Sequence, residues 1–286
     1  MQQLTDIAAR RASWRKIAMF LVLVAVLTAL STILVTHVAM PARLAVTIGM
    51  WMPGVSAILV KLVFERRLAG LGFGRSGGRW LMVALLLSLA YALPVYLLTW
   101  LSGWGGFAPG RWAAAVPYIP APANALAALG LLLTVGLADK FSRALGEEIG
   151  WRGFLVPEFL KVTSFRTASL ITGAIWALWH MPAILFEGYN AGAVPLSYQI
   201  ACFAVMVISS GVFYAWLRVR SDSVWPPALL HAAHNLIVQS IFDQATANGP
   251  STFYVTGEFG IGLALTTAAV ALVVLAVYKP APQRAA

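Results

Sequence analysis

The chain is poor in charge and almost without cysteine. Of its 286 residues only 10% are charged, and Cys202 is the single cysteine. Soluble domains carry about a quarter charged residues, so a water-soluble globular fold is excluded. One cysteine excludes an internal disulfide and any multi-cysteine metal site. Cys202 reads as a small, buried, apolar residue. Acidic residues number 10 against 20 Lys and Arg, and there are four histidines. No His-Glu-x-x-His stretch occurs, which excludes a zincin helix.

Long apolar runs are abundant. Hydrophobic residues make up 60% of the chain, and a helix needs about 20 of them in sequence to cross a bilayer. The runs predict about eight transmembrane helices, near 17–38, 43–64, 80–101, 124–146, 165–186, 197–217, 224–243 and 259–278. The fold class is therefore all-α, a polytopic membrane bundle, with residues 1–286 forming one membrane-embedded domain. Gly/Pro-rich connectors such as "GLGFGRSGG" and "SGWGGFAPG" mark the ends of spans, because irregular backbone is not stable facing lipid. The first run is longer than a signal-peptide core, so it is expected to be a retained span.

The net charge of +10 first suggests nucleic acid as a partner. Its distribution argues otherwise. Arg10, Arg11, Arg15 and Lys16 precede the first run, and Arg66, Arg67, Arg75 and Arg79 follow the second. Arg152, Lys161 and Arg166, then Arg218 and Arg220, then Lys279 and Arg284 fall at the same alternating end. Arg43 and Arg111 fall at the other. This is the pattern of basic residues held on the cytoplasmic side, with both termini cytoplasmic. The partner is the lipid bilayer, and no nucleic acid is expected. Lys61, Lys140 and Arg143 are expected to snorkel from inner helix ends.

A few polar residues do not belong in such spans. Glu147, Glu148 and Arg152 occur in "LGEEIGWRGFLVP", His180 in "IWALWHMPAILF", and His231, His234 and Asn235 in "VWPPALLHAAHNLIV". Residues four apart on a helix share a face, so Glu148 and Arg152 are placed to pair. Glu147 lies about 100° round the axis and is left over for chemistry. Gly150 and Gly153 are expected bend points. By position alone, the bland reading puts both glutamates at a solvated cytoplasmic helix end. Trp176 shares a face with His180, and Pro182 distorts the helix nearby. Ser223 caps the seventh run, Pro226 and Pro227 fit its first turn, and His231 and Asn235 share a face. Two histidines and an asparagine in one apolar helix are costly unless they face a polar interior. His37, at an outer helix end, reads as interfacial.

The ordered set Glu147-Glu148-x-x-x-Arg152, Trp176-x-x-x-His180 and His231-x-x-x-Asn235 resembles the CPBP family, which comprises CAAX proteases and bacteriocin-processing enzymes. Its eukaryotic members are the type II CAAX prenyl endopeptidases. The resemblance covers about residues 120–245. It implies an intramembrane endopeptidase acting on a membrane-associated peptide or protein, with a prenylated CAAX-like substrate as one form, in a bacterial plasma membrane. Carried onto this chain, Glu147 and His180 would activate water, and His231 and Asn235 would stabilise the oxyanion. Glu148 and Arg152 would orient the site, with Trp176 and His234 in support. The family's second motif usually begins with Phe; here it begins with Trp176, a change expected to affect packing more than chemistry.

The residues themselves suit that chemistry. A carboxylate in an apolar cavity serves as a general base, and His and Asn donors stabilise developing negative charge. Zinc is the candidate cofactor, with Glu147, His180 and His231 as its ligands in a His₂Glu set. Metal-free glutamate chemistry is the preferred expectation, and zinc-dependent hydrolysis the alternative. A proton-coupled transporter and a non-proteolytic immunity scaffold are the readings from other classes. One mismatch stands. Glu147 ends the fourth run at the inner surface, whereas His180 lies about 21 Å beyond Arg166. A cavity open to the cytoplasm is expected to relieve it.

Overall fold

Apolar runs in lipid must satisfy their backbone groups internally, and helices do so residue by residue. The computed structural model describes residues 2–38, 40–115, 125–191 and 194–278. Lys279, Arg284 and the expected start of the fourth span at residue 124 lie outside the described residues. Helix α1 is Gln2–His37, α2 Ala42–Glu65 and α3 Gly78–Ser102. Helix α4 is a composite rod, Ala125–Leu160. Helix α5 is Phe165–Phe186 and α6 Leu196–Ser221. Helix α7 joins α-helical Trp225–His234 to π-helical Asn235–Phe242, and α8 is Ile261–Val277.

Six of these, α1 to α6, are long and apolar enough to cross a membrane, and α7 and α8 are shorter. The chain is an integral membrane protein with a polytopic helical bundle. A two-stranded ribbon accompanies it. Strand β1, Gly105–Phe107, pairs antiparallel with β2, Thr246–Asn248, with Gly105 opposite Asn248. Side chains such as Tyr91, Trp151, Phe213 and Tyr214 are buried within the bundle, while Val22, Val63 and Leu101 face outward.

The main departure from the sequence reading is α4. It does not stop at residue 146 but runs on to Leu160. Gly146 and Gly150 let it touch α2. A Cβ on Gly146 would lie 2.8 Å from the Trp51 Cα, and one on Gly150 would lie 2.5 Å from the Pro53 Cβ. Small residues four apart are the usual means of close helix approach in membranes. The stretch Ile149–Leu155 winds as a π-helix, a local widening common at functional sites.

This longer rod removes the depth mismatch. Glu147 lies 13 residues before Leu160, and His180 lies 15 residues after Phe165. Each is about 20 Å from the short α4–α5 connection, so the two reach a similar depth.

Candidate active site

A cavity of about 660 Å³ is enclosed by side chains from α1, α2, α4, α5, α6 and α7. Glu147, Trp176, His180, His231, His234 and Asn235 all line it. Glu148 and Arg152 stand behind its wall, both at 0% exposure. The bundle thus brings three sequence-distant motifs to one place.

Glu147 is 1% exposed, so the solvated-end reading is overturned. The cause is the continuation of α4, which buries the residue in mid-rod. Its Oε2 accepts the indole N–H of Trp176 at 2.7 Å and that of Trp151 at 3.3 Å. Its Oε1 has no protein partner among the described residues and is left to the cavity. Trp176 therefore does more than pack: it supplies a donor to Glu147 that a phenyl ring lacks. The Trp176 ring also meets His180 and His231 edge-on, with centroids 5.9 and 5.3 Å away.

The His180 Nδ1 lies 2.8 Å from the Trp176 carbonyl oxygen. A carbonyl only accepts, so Nδ1 carries the hydrogen, and Nε2 of the neutral ring carries the lone pair. This bond within α5 fixes both the tautomer and the ring orientation.

Glu148 supports the opposite wall. Its Oε1 accepts from Arg152 Nη1 at 2.8 Å, one helical turn on, as the spacing predicted. The same oxygen accepts from His231 Nδ1 at 2.9 Å. The Arg152 guanidinium also lies over the Trp176 and Tyr214 rings, at 4.2 and 4.5 Å from their centroids. A cation between two aromatic faces is stabilised electrostatically, most strongly when desolvated. With Nδ1–H directed at Glu148, His231 carries a hydrogen on Nε2 only when doubly protonated.

Helix α7 has Val224 at its N-cap, one residue after the expected Ser223, and Val224 makes no side-chain cap. The Ser223 hydroxyl accepts the Trp225 N–H at 3.3 Å, and the two prolines fill the first turn. Asn235 opens the π-helical half, and its side chain makes no hydrogen bond among the described residues. His234 lines the cavity as well, but it is bound elsewhere. Its Nδ1 meets Tyr91 Oη at 2.9 Å and its Nε2 meets Glu258 Oε1 at 3.0 Å.

Sequence reasoning missed Glu258. It sits in the α7–α8 connection yet is 8% exposed and lines the cavity. Gln239 Nε2 donates to its Oε1 at 3.1 Å, and the Tyr189 hydroxyl donates to its Oε2. The signal was a lone acid in "TGEFG", directly before the last apolar run. Lys140 and Arg143 also line the cavity, because α4 runs far past them; they do not mark its inner end. Lys61 is buried and paired with Glu65.

The cavity's position along the helices differs from expectation. Its lining draws on Thr28 to Val35 of α1, Ala45 to Met50 of α2 and Pro182 to Glu187 of α5. Those segments lie toward the helix ends opposite the basic clusters, where Thr32 and Glu187 are exposed. The basic clusters at the other helix ends contribute no residue to its lining, so the expected cytoplasmic opening does not show there.

Zinc does not fit the donors as they stand. Among the described residues, no three His, Cys, Asp or Glu side chains group as a metal site requires. Glu147 Oε2 and both histidine Nδ1 atoms are engaged, so only Glu147 Oε1 and the two Nε2 atoms are open to a metal. Gly74–Gly78 spells G-x-S-x-G. The α/β-hydrolase context of that pattern is a strand-to-helix turn. Here it lies in the α2–α3 connection, where Ser76 Oγ donates to the Gly77 carbonyl, and Ser76 is not among the cavity residues.

A model of the Rce1-like type II CAAX prenyl endopeptidases matches residues 121–237, which contain all three motifs. A CAAX prenyl protease 2 of Methanococcus maripaludis is 27% identical over 94 residues, covering 32% of this chain. The match spans about a third of that relative, 34% of its length. With its motifs gathered on one membrane cavity, the chain is similar, over residues 121–237, to the Rce1-like CAAX prenyl endopeptidases.

Proposed function

We propose that this protein is an intramembrane endopeptidase that hydrolyses a peptide bond of a membrane-associated substrate with water activated by Glu147 and His180. The observation that carries the reading is the division of labour within each side chain. Glu147, His180 and His231 are each tied to protein through one polar atom and keep another for the cavity. A water held between Glu147 Oε1 and His180 Nε2 transfers a proton to the carboxylate as its oxygen attacks the scissile carbonyl. The carbonyl oxygen becomes the oxyanion. Asn235 donates to it from its carboxamide, and His231 donates from Nε2 when its ring is doubly protonated, with Glu148 as counter-ion. As the intermediate collapses, the C–N bond breaks and Glu147 returns its proton to the leaving amine. Donors aimed at an oxyanion contribute roughly 10²–10³ each in rate.

On this reading residues 1–286 act as one catalytic domain in a bacterial plasma membrane. The substrate is a membrane-associated peptide, of which a prenylated CAAX-like segment is one form. The test is cleavage of a panel of lipidated and unlipidated peptides by the purified protein. Cleavage that requires the lipid identifies a prenyl-type substrate. Proton-coupled solute flux in liposomes without cleavage would replace the protease by a transporter.

A further inference from the structure

Lys140 and Arg143 line the same cavity as Glu147. They precede it by seven and four residues in the α-helical stretch Leu137–Glu148. At 3.6 residues per turn the three side chains leave nearly the same face. Arg143 is committed to an ion pair with Asp139. Lys140 is placed differently. Its ammonium donates to the neutral amide oxygen of Gln239 at 3.1 Å, and among the described residues it makes no ion pair. The nearest carboxylate in this network, Glu258, already accepts from His234, Gln239 and Tyr189. An ammonium carries three donors, and one here is used within the protein. A cation in a mostly apolar cavity within a membrane protein is costly unless an anion meets it.

The spacing says where that anion lies on a substrate. Seven residues of α-helix rise about 10 Å. An extended peptide advances about 3.3 Å per residue. With the scissile carbonyl at Glu147, the Lys140 ammonium falls about two to four residues along the peptide.

We propose that Lys140 is a subsite for a carboxylate of the substrate, a few residues from the bond that is cut. It rests on Glu147 as the water-activating residue. A free C-terminal α-carboxylate and an Asp or Glu side chain supply the same chemistry, and the experiment separates them. On one peptide that the wild-type protein cleaves, four versions are compared. They are the free acid ending three residues after the cut, its C-terminal amide, and amides carrying Asp or Asn at that third position. Wild-type protein should prefer acid over amide, or Asp over Asn, by about tenfold or more in kcat/KM, mainly through KM. The first preference identifies the α-carboxylate, the second a side chain. In Lys140→Met the preferred ratio should fall to about one, and Lys140→Arg should restore most of it. Equal cleavage of both pairs, and of peptides with Asp or Asn three residues before the cut, by wild-type protein overturns the proposal and leaves the protease reading standing. So does a preference that Lys140→Met retains, since Lys140 then only balances Glu258. If Lys140→Met does not fold, the wild-type ratios and Lys140→Gln decide. Failure to cleave any peptide removes the protease reading itself, and the subsite with it.

Discussion

Glu148 and His231 meet at 2.9 Å, across 83 residues of sequence and between two different helices. The same carboxylate oxygen holds Arg152. A single buried acid therefore anchors the guanidinium behind the cavity and fixes the ring that faces into it.

Arg152→Ala removes a buried partner and leaves Glu148 uncompensated, a change that costs about 3–5 kcal/mol. Thermal unfolding in detergent should show a large fall in Tm or loss of folded yield. Arg152→Lys keeps the charge but loses the planar fork and much of the stacking on Trp176 and Tyr214, so an intermediate loss is expected. A wild-type Tm for Arg152→Ala would show that the buried pair does not hold the fold.

Trp176→Phe keeps an aromatic ring but deletes the 2.7 Å donor to Glu147. A hydrogen bond to a charged group contributes about 1.5–3 kcal/mol, so kcat should fall roughly ten- to a hundredfold with little change in KM. Unchanged kcat in a steady-state assay would reduce the indole to packing.

The bundle was legible because apolar runs of membrane length leave few alternatives to helices. The ends of α4 were not. Charge at 147, 148 and 152 resembles a helix terminus, and only the Gly146 and Gly150 contacts with α2 show why the rod continues through it. The motif residues were legible by their polarity inside apolar runs. The burial of Glu147 and Glu148 was hidden, because burial depends on neighbours far away in sequence. Glu258 escaped notice for the converse reason: an acid in a connecting loop looks solvated until the loop folds inward. The indole bond of Trp176 was equally invisible, since spacing alone does not tell which ring atom meets Glu147.

The zinc alternative makes a separate prediction. With glutamate-activated water, purified active protein should hold well under one zinc per chain. The inhibitor o-phenanthroline should act no more strongly than its non-chelating isomer. With zinc, His231→Ala should abolish metal binding and Asn235→Ala should leave it largely intact. Without zinc, both variants should instead lower turnover by roughly 10²–10³ through loss of an oxyanion donor. Metal analysis paired with activity separates the two.

The basic clusters predict the orientation of the bundle. Reporter fusions at residue 110 and residue 160 should report opposite sides, outside and inside respectively. Both on one side would contradict the alternation of spans.

The central claim is that Glu147 activates the water that cuts the peptide. Its most direct measurement is turnover of one cleavable peptide by Glu147→Gln, reconstituted beside the wild-type protein. The side chain keeps its shape and its place beside Trp176 but loses its basicity. A loss of roughly 10²–10⁴ in kcat with peptide binding retained is the predicted result. Wild-type turnover by the folded Glu147→Gln protein would contradict the account.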